Sequence, residues 1–273
     1  MLARSVARGE LVRIRRGVYV SADDWNQADL VQRHLYRMRA LAEVNDSPTV
    51  FSHQSAAIAW GLPLIGEPPP TPHVVFPTTR SVTRRSGAVL HQQDFVQSVE
   101  RSGFSVTGLE QTVIDLTASL PVTHGMPSLD FALSKASPRQ LDSENLRAWV
   151  SENRPFRGVR RVDAALDIAT GLGESPLESL SLVRFAECGI PRPKQQVEIE
   201  TELGSYWVDF FWPDVGVVGE ADGRAKYRSP EDLWREKRRE DAIRARVNGF
   251  ARWSWSDIWQ PSRVPDRLRA AGL

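Results

Sequence analysis

Residues 206–223 read YWVDFFWPDVGVVGEADG. Alternation of large apolar and other residues at period two predicts strands on both sides of a turn at Pro213–Gly216. With the turn centred between Asp214 and Val215, equidistant residues oppose one another. Phe211 then pairs with Val218, Asp209 with Glu220 and Trp207 with Asp222. The alternation places Trp207, Asp209, Phe211, Val218, Glu220 and Asp222 on one face. Directly opposed side chains have Cβ atoms ~4.5–5.5 Å apart. Two carboxylates that close repel each other and raise a pKa unless a cation lies between them. An oxygen-rich site of this kind suits Mg²⁺ or Mn²⁺, with Asp209, Glu220 and Asp222 as ligands. The alternative is neutralisation by Arg235, Lys237, Arg238 or Arg239, which follow on a charged helix.

Around this hairpin the pattern is regular. Ser175–Cys188 reads as a helix with Ser175 as N-cap and Pro176 at its first position. QVEIETELGSYW supplies a strand ahead of the hairpin, Pro230–Asn248 a long charged helix and GFARWSWSDI a further strand. The order α-β-β-β-α-β makes a compact unit of roughly 100 residues, a normal domain size. Pro265–Ala271 adds a final helix. The break from what precedes falls near 170, after Gly171 and Gly173 end a helix, so domains are expected at 1–170 and 171–273. The fold class expected for the whole chain is α/β in the α+β sense.

The upstream region is mixed α/β. A short helix is followed by LVRIRRGVYV, a basic hairpin centred on Arg15–Gly17. Together, residues 1–20 look like the tail end of a winged helix, since the chain begins at about the third helix of that motif. Residues 28–44 keep a helical period, and Ser52–Trp60 makes a short helix closed by Gly61 and Pro63. Short β-like runs follow at 73–76, 88–91 and 104–107, then helical patterns at 112–119, 128–134 and 143–150.

Composition removes several classes of function. The 273 residues are 41% hydrophobic and 25% charged, with a net charge of +1, as in an ordinary soluble globular protein. The longest apolar run, AAIAW (56–60), is far short of the roughly 20 residues a membrane span needs. The basic start lacks an apolar h-region, so no secretory signal is read there. The single cysteine, Cys188, fits a reducing compartment, and a cytoplasmic location is expected. All five histidines precede residue 125, so the second half hosts no His-dependent chemistry. His53 is read as a packing or capping residue at a helix start. Residues 224–246 carry nine basic against five acidic residues; such clusters neutralise phosphates or form solvated helix faces.

VDFFWPDVGVVGEADGRAKY, then EKRREDAIRA and FARWSWSDI, resembles the Vsr-like, PD-(D/E)XK-type endonuclease domains of bacteria. SPLESLSLVRFAECGIPRPKQQVEI is similar to that family's opening helix and first strand, so the resemblance covers about 172–260. More loosely, LVRIRRGVYV, SHQSAAIAWGLP and LEQTVIDLTASLP resemble AbiEi-type antitoxins, which often join a winged helix to such a domain. The first resemblance implies a restriction-endonuclease-like core with Asp209 and Glu220 as metal ligands. It also implies Glu178 as the helix carboxylate that completes the site, although S-P-L-E reads equally as a capping box. The motif's lysine position holds Asp222, which leaves Lys226 and Lys237 as the candidate cations.

Two functions follow from these readings. One is a Mg²⁺- or Mn²⁺-dependent endonuclease hydrolysing phosphodiester bonds of DNA or RNA, with Glu178, Asp209, Glu220, Lys226 and Lys237 as its catalytic set. The other is a catalytically inactive antitoxin or transcriptional regulator, with a cognate toxin or its operator as partner. In both, Arg13, Arg15, Arg16, Arg224, Arg238 and Arg239 are the expected nucleic-acid contacts. Under the first reading Glu220→Gln abolishes cleavage and leaves the fold intact.

Overall fold

The computed structural model describes residues 2–45, 48–77, 87–93, 97–223 and 230–273. Among these residues, twelve helices and three sheets make a mixed α+β fold. No helix among these residues is long and apolar enough to cross a membrane. The chain divides into two compact units: Met1–Ser128 with Ala148–Val162, and Leu129–Arg147 with Asp163–Leu273.

The first unit opens with α1 (Leu2–Ala7) and the antiparallel hairpin β1 (Leu11–Arg15) and β2 (Val18–Ser21). Gly17 takes φ +86° at its turn, a conformation that costs glycine little. α2 (Ala22–Gln27) and α3 (Leu30–Glu43) follow. α3 starts at a reciprocal cap: Asp29 Oδ1 accepts from the Gln32 N–H at 2.7 Å while Gln32 Oε1 accepts from the Asp29 N–H at 3.0 Å. A five-stranded mixed sheet is built from β3 (Val50–Phe51), β4 (His73–Pro77), β5 (Val89–Gln93), β6 (Ser98–Arg101) and β7 (Phe104–Thr107), in the order β5-β4-β3-β7-β6. The strands β3 and β6 have no counterpart in the sequence reading: β3 is two residues long, and alternation needs about four to register. α4 (His53–Trp60) and α5 (Leu109–Ser119) each pack buried faces, among them Ala56, Ala57, Val113 and Leu116.

α6 (Val122–Leu133), α7 (Ser143–Glu152) and α8 (Val159–Ile168) each run across a boundary between the units. The second unit therefore takes in residues upstream of the break expected near 170. Asp130 supplies a reason. Its buried carboxylate accepts from the N–H groups of Thr170 and Gly171 at 2.8 and 2.7 Å and from the Ser179 hydroxyl at 2.8 Å. A fully desolvated carboxylate needs such partners, and residues 170, 171 and 179 provide them.

The second unit follows α9 (Pro176–Glu187), β8 (Lys194–Thr201), β9 (Gly204–Trp212), β10 (Val217–Ala221), α10 (Pro230–Arg244) and β11 (Gly249–Trp253), the helix-strand-strand-strand-helix-strand order read from sequence. α11 (Trp255–Ile258) and α12 (Arg263–Ala270) close the chain. The sheet order is β11-β10-β9-β8, with β10 and β11 parallel and the other pairs antiparallel. One face carries Phe210, Trp212 and Trp253 against Phe185 of α9, at ring separations of 5.2, 5.4 and 5.7 Å. On the other face Val208, Val218 and Phe250 pack with Ile243 of α10, joined by Val197, Ile199, Tyr206 and Phe211.

That second cluster exposes a departure from simple alternation. Val208 and Phe211 lie on one face although an odd number of steps separates them, and so do Val197 and Lys194, their ladder partners. The Gln196–Asp209 rung is missing between Gln195–Phe210 and Val197–Val208, while the pairing register is the same on both sides of the gap. Gln196 takes φ +49° there, a conformation that a residue with a Cβ rarely adopts. The single face expected for Trp207, Asp209 and Phe211 is thereby broken at Asp209.

Candidate functional site

The acidic centre begins where the β9–β10 ladder stops. Its rungs are Trp212–Val217, Phe211–Val218 and Phe210–Gly219, the register expected from the turn. At the next position the Ala221 N–H donates to Asp209 Oδ2 at 2.7 Å instead of to a backbone carbonyl. The Asp222 N–H goes to the Trp253 carbonyl on the other side, at 2.8 Å. The ladder thus ends before the expected Asp209–Glu220 and Trp207–Asp222 pairs, and the Asp209 carboxylate fills the opening.

Glu178 reaches the same place from the first turn of α9. Ser175 caps that helix, accepting from the Glu178 N–H at 3.2 Å and donating its hydroxyl to Glu178 Oε1 at 2.7 Å. Glu178 Oε2 accepts from the Glu174 N–H at 2.9 Å and from Gln196 Nε2 at 3.0 Å. The capping role read from S-P-L-E is present, and Gln196, at the missing rung, ties it to the sheet. Burial lifts Glu178 above the usual carboxylate range, against the bonds from Glu174, Ser175 and Gln196. Burial first, and then the charge of Glu178, pushes Asp209 up to about 7. Glu220 adds to that repulsion, while the Ala221 N–H and Arg239 oppose it.

Glu220 is only 6% exposed, and it is not waiting for a cation. Arg239 Nη2 donates to its Oε1 at 2.8 Å and Arg252 Nη2 to its Oε2 at 2.8 Å. Arg252 lies opposite Glu220 in the parallel β10–β11 register and also meets Glu236 at 2.8 Å, Glu240 at 3.3 Å and Asp222 at 3.7 Å. Neutralisation by arginine is thus the arrangement at Glu220, and Arg252 is its unforeseen half. The available signal was FARW, where Arg252 shares a strand face with Phe250. Arg239, expected at a nucleic-acid surface, turns inward and also donates to the Trp207 carbonyl at 2.7 Å. Among the described residues, Glu178, Asp209 and Glu220 are not a group whose ligand atoms all lie within 4.8 Å of one another. Mg²⁺ or Mn²⁺ would have to break the Glu220 pairs to gather them.

The other expected residues scatter. Arg224 and Lys226 lie outside the described residues. Lys237 is exposed on α10. Arg238 lies over the ring of Trp234, 5.0 Å from its centroid, and Trp234 is 61% exposed, as Trp207 is 58% exposed. Arg13 and Arg16 are exposed on the β1–β2 hairpin, while Arg15 is half-buried.

The group that meets the 4.8 Å condition is His53, His73 and His91, in the first unit. Nothing in their sequence spacing marks them. Burial, reinforced by the mutual proximity of the rings, pushes His53 down to about 2 and His73 down to about 4, so both are neutral at ordinary pH. Behind them the buried Asp115 is pushed up to about 7 by desolvation, against bonds from Gln111 and Gln93.

No family model matches the chain. It is 28% identical over 235 residues to uncharacterized protein Rv2248 of Mycobacterium tuberculosis strain H37Rv, covering 86% of this chain and 82% of that protein. The same values hold for uncharacterized protein MT2308 of strain CDC 1551. Among solved structures, the Rv2827c protein of M. tuberculosis aligns over 72% of this chain and 75% of its own, with 16% identity and a TM-score of 0.41.

Proposed function

We propose that the protein binds nucleic acid through its second unit without cleaving it. The observation that carries binding is the exposed Trp234 with Arg238 over its ring on α10. An aromatic face beside a guanidinium stacks bases and neutralises phosphate without demanding a sequence. The pairing of Glu220 with Arg239 and Arg252 argues against cleavage, because the carboxylate that the PD-(D/E)XK resemblance assigns to a metal is already satisfied. Asp222 stands where the motif has lysine, and the described Lys237 points outward. This favours the regulator reading: an AbiEi-like, nuclease-fold protein acting on DNA, its operator included, or on RNA.

A second reading, the Mg²⁺- or Mn²⁺-dependent endonuclease, is favoured by Asp209 and Glu178, two crowded carboxylates with raised pKa values. The test is fluorescence anisotropy with labelled DNA and RNA, run beside a nicking assay with each metal. Salt-sensitive binding without nicking is the expected result. Metal-dependent nicking that disappears in Asp209→Asn would replace the first reading with the second, and absence of binding at low salt would remove both.

A further inference from the structure

Three of the chain's five histidines converge in the first unit. His73 opens β4, and His91 lies opposite Val75 on the adjacent parallel strand β5. With period two, His73 and His91 therefore stand on the same sheet face, one pleat apart. His73 Nδ1 and His91 Nε2 are 3.0 Å apart. His53 enters from the start of α4 with φ +51°, and its ring lies 3.5 Å from that of His91 at an interplanar angle of 16°. The three ligand nitrogens all fall within 4.8 Å of one another.

The surroundings are ordered around these rings. Asp115 Oδ2 lies 3.8 Å from His53 Nδ1, and its carboxylate is fixed by Gln93 Nε2 at 3.0 Å and Gln111 Nε2 at 2.8 Å. Ser55 Oγ accepts from the His73 N–H at 2.8 Å and meets His34 Nε2 at 2.9 Å. His53 and the backbone of His73 thus each have a neighbour other than the fellow ligands.

The geometry points to a transition-metal site in the first unit, with His53, His73 and His91 as imidazole ligands to a divalent ion of the zinc class. At Zn–N distances of ~2.0–2.1 Å, tetrahedral ligand edges are roughly 3.3–3.4 Å. The His73–His91 separation is already near that value, and His53 completes the set by tilting out of its stack on His91. Three nitrogen ligands select Zn²⁺, Co²⁺ or Ni²⁺ over Mg²⁺ or Mn²⁺, which prefer oxygen. His73 and His91 are half-buried rather than sealed, which gives an ion access and leaves a fourth position for water. His53 Nδ1 lies 3.1 Å from Ser52 Oγ and 3.8 Å from Asp115 Oδ2, which leaves Nε2 for the metal; Asp115 is a positioning residue that acts on the ring as a nearby charge.

The experiment uses tag-free, full-length protein stripped with chelator and dialysed against Zn²⁺, with metal per chain measured by elemental analysis. Wild type should take up a single equivalent, melt at higher temperature with Zn²⁺, and give the intense visible bands of tetrahedral Co²⁺. His73→Gln and His91→Gln should each lose stoichiometric uptake. Asp115→Asn should weaken affinity by about 10–100-fold, and Asp266→Asn, exposed in the other unit, should not change it. Circular dichroism of the metal-free variants checks folding. If the histidine variants do not fold, the wild-type Co²⁺ spectrum decides: weak octahedral bands overturn the site. Absence of stoichiometric Zn²⁺ in wild type, or undiminished binding in both folded histidine variants, also overturns it.

Discussion

Glu220 and Arg252 face each other across the parallel strands β10 and β11 and meet at 2.8 Å, with Arg239 of α10 closing the other carboxylate oxygen at the same distance. Breaking a buried pair leaves its partners' charges uncompensated, at a cost of ~3–5 kcal/mol when desolvation is full. The arginine side chains are 24% exposed, so Glu220→Gln should destabilise the protein by about 2–3 kcal/mol in urea unfolding. A pure metal ligand would leave metal-free stability unchanged. The fold is still expected to form in this variant, at reduced stability.

Asp209 should make stability pH-dependent in a recognisable direction. Burial pushes its folded pKa to about 7, above the ordinary 3.8, so between those values the folded state binds more protons. The stabilisation from its protonated form is present at low pH and is lost as pH rises from about 4 through about 7. Asp115 carries a shift of the same sign. Melting curves from pH 5 to 8 should flatten in Asp209→Asn, and the variant should exceed wild type at pH 8. An unchanged slope would show that Asp209 does not titrate in this range.

Trp234 should contribute to binding by stacking. Trp234→Ala should weaken single-stranded DNA affinity by about 1–3 kcal/mol, whereas Arg238→Ala should reduce the salt dependence by about one phosphate contact. Anisotropy titrations at several salt concentrations separate the two effects. Equal affinity in all three proteins would remove α10 from the binding surface.

Asp130 should matter to the second unit far from any ligand. Asp130→Ala strips the acceptor from the Thr170 and Gly171 N–H groups and the Ser179 hydroxyl, and each buried donor left unpaired costs about 1–3 kcal/mol. A total loss of roughly 3–5 kcal/mol is expected, with faster hydrogen exchange at residues 170 and 171. Retained protection there would mean that another group holds the segment.

The sequence by itself determined what depends on neighbours along the chain. The turn at Pro213–Gly216 set the Phe211–Val218 pairing, Ser175-Pro176 set the start of α9, and periodicity set the order of elements in the second unit. These are hydrogen bonds and apolar repeats spanning a few residues, so local spacing carries them. Tertiary structure decided the rest. The break in alternation at Gln196 and Asp209 is shared by two strands, and neither strand's sequence announces it. Arg252 reaches Glu220 only because a helical crossover lays β11 parallel to β10. His53, His73 and His91 meet only where α4 and two parallel strands converge, and no spacing rule links residues brought together by sheet register and helix packing. The acidic residues could be named from the chain, but whether they face a metal or an arginine depends on which distant side chain arrives first, and that is a property of packing.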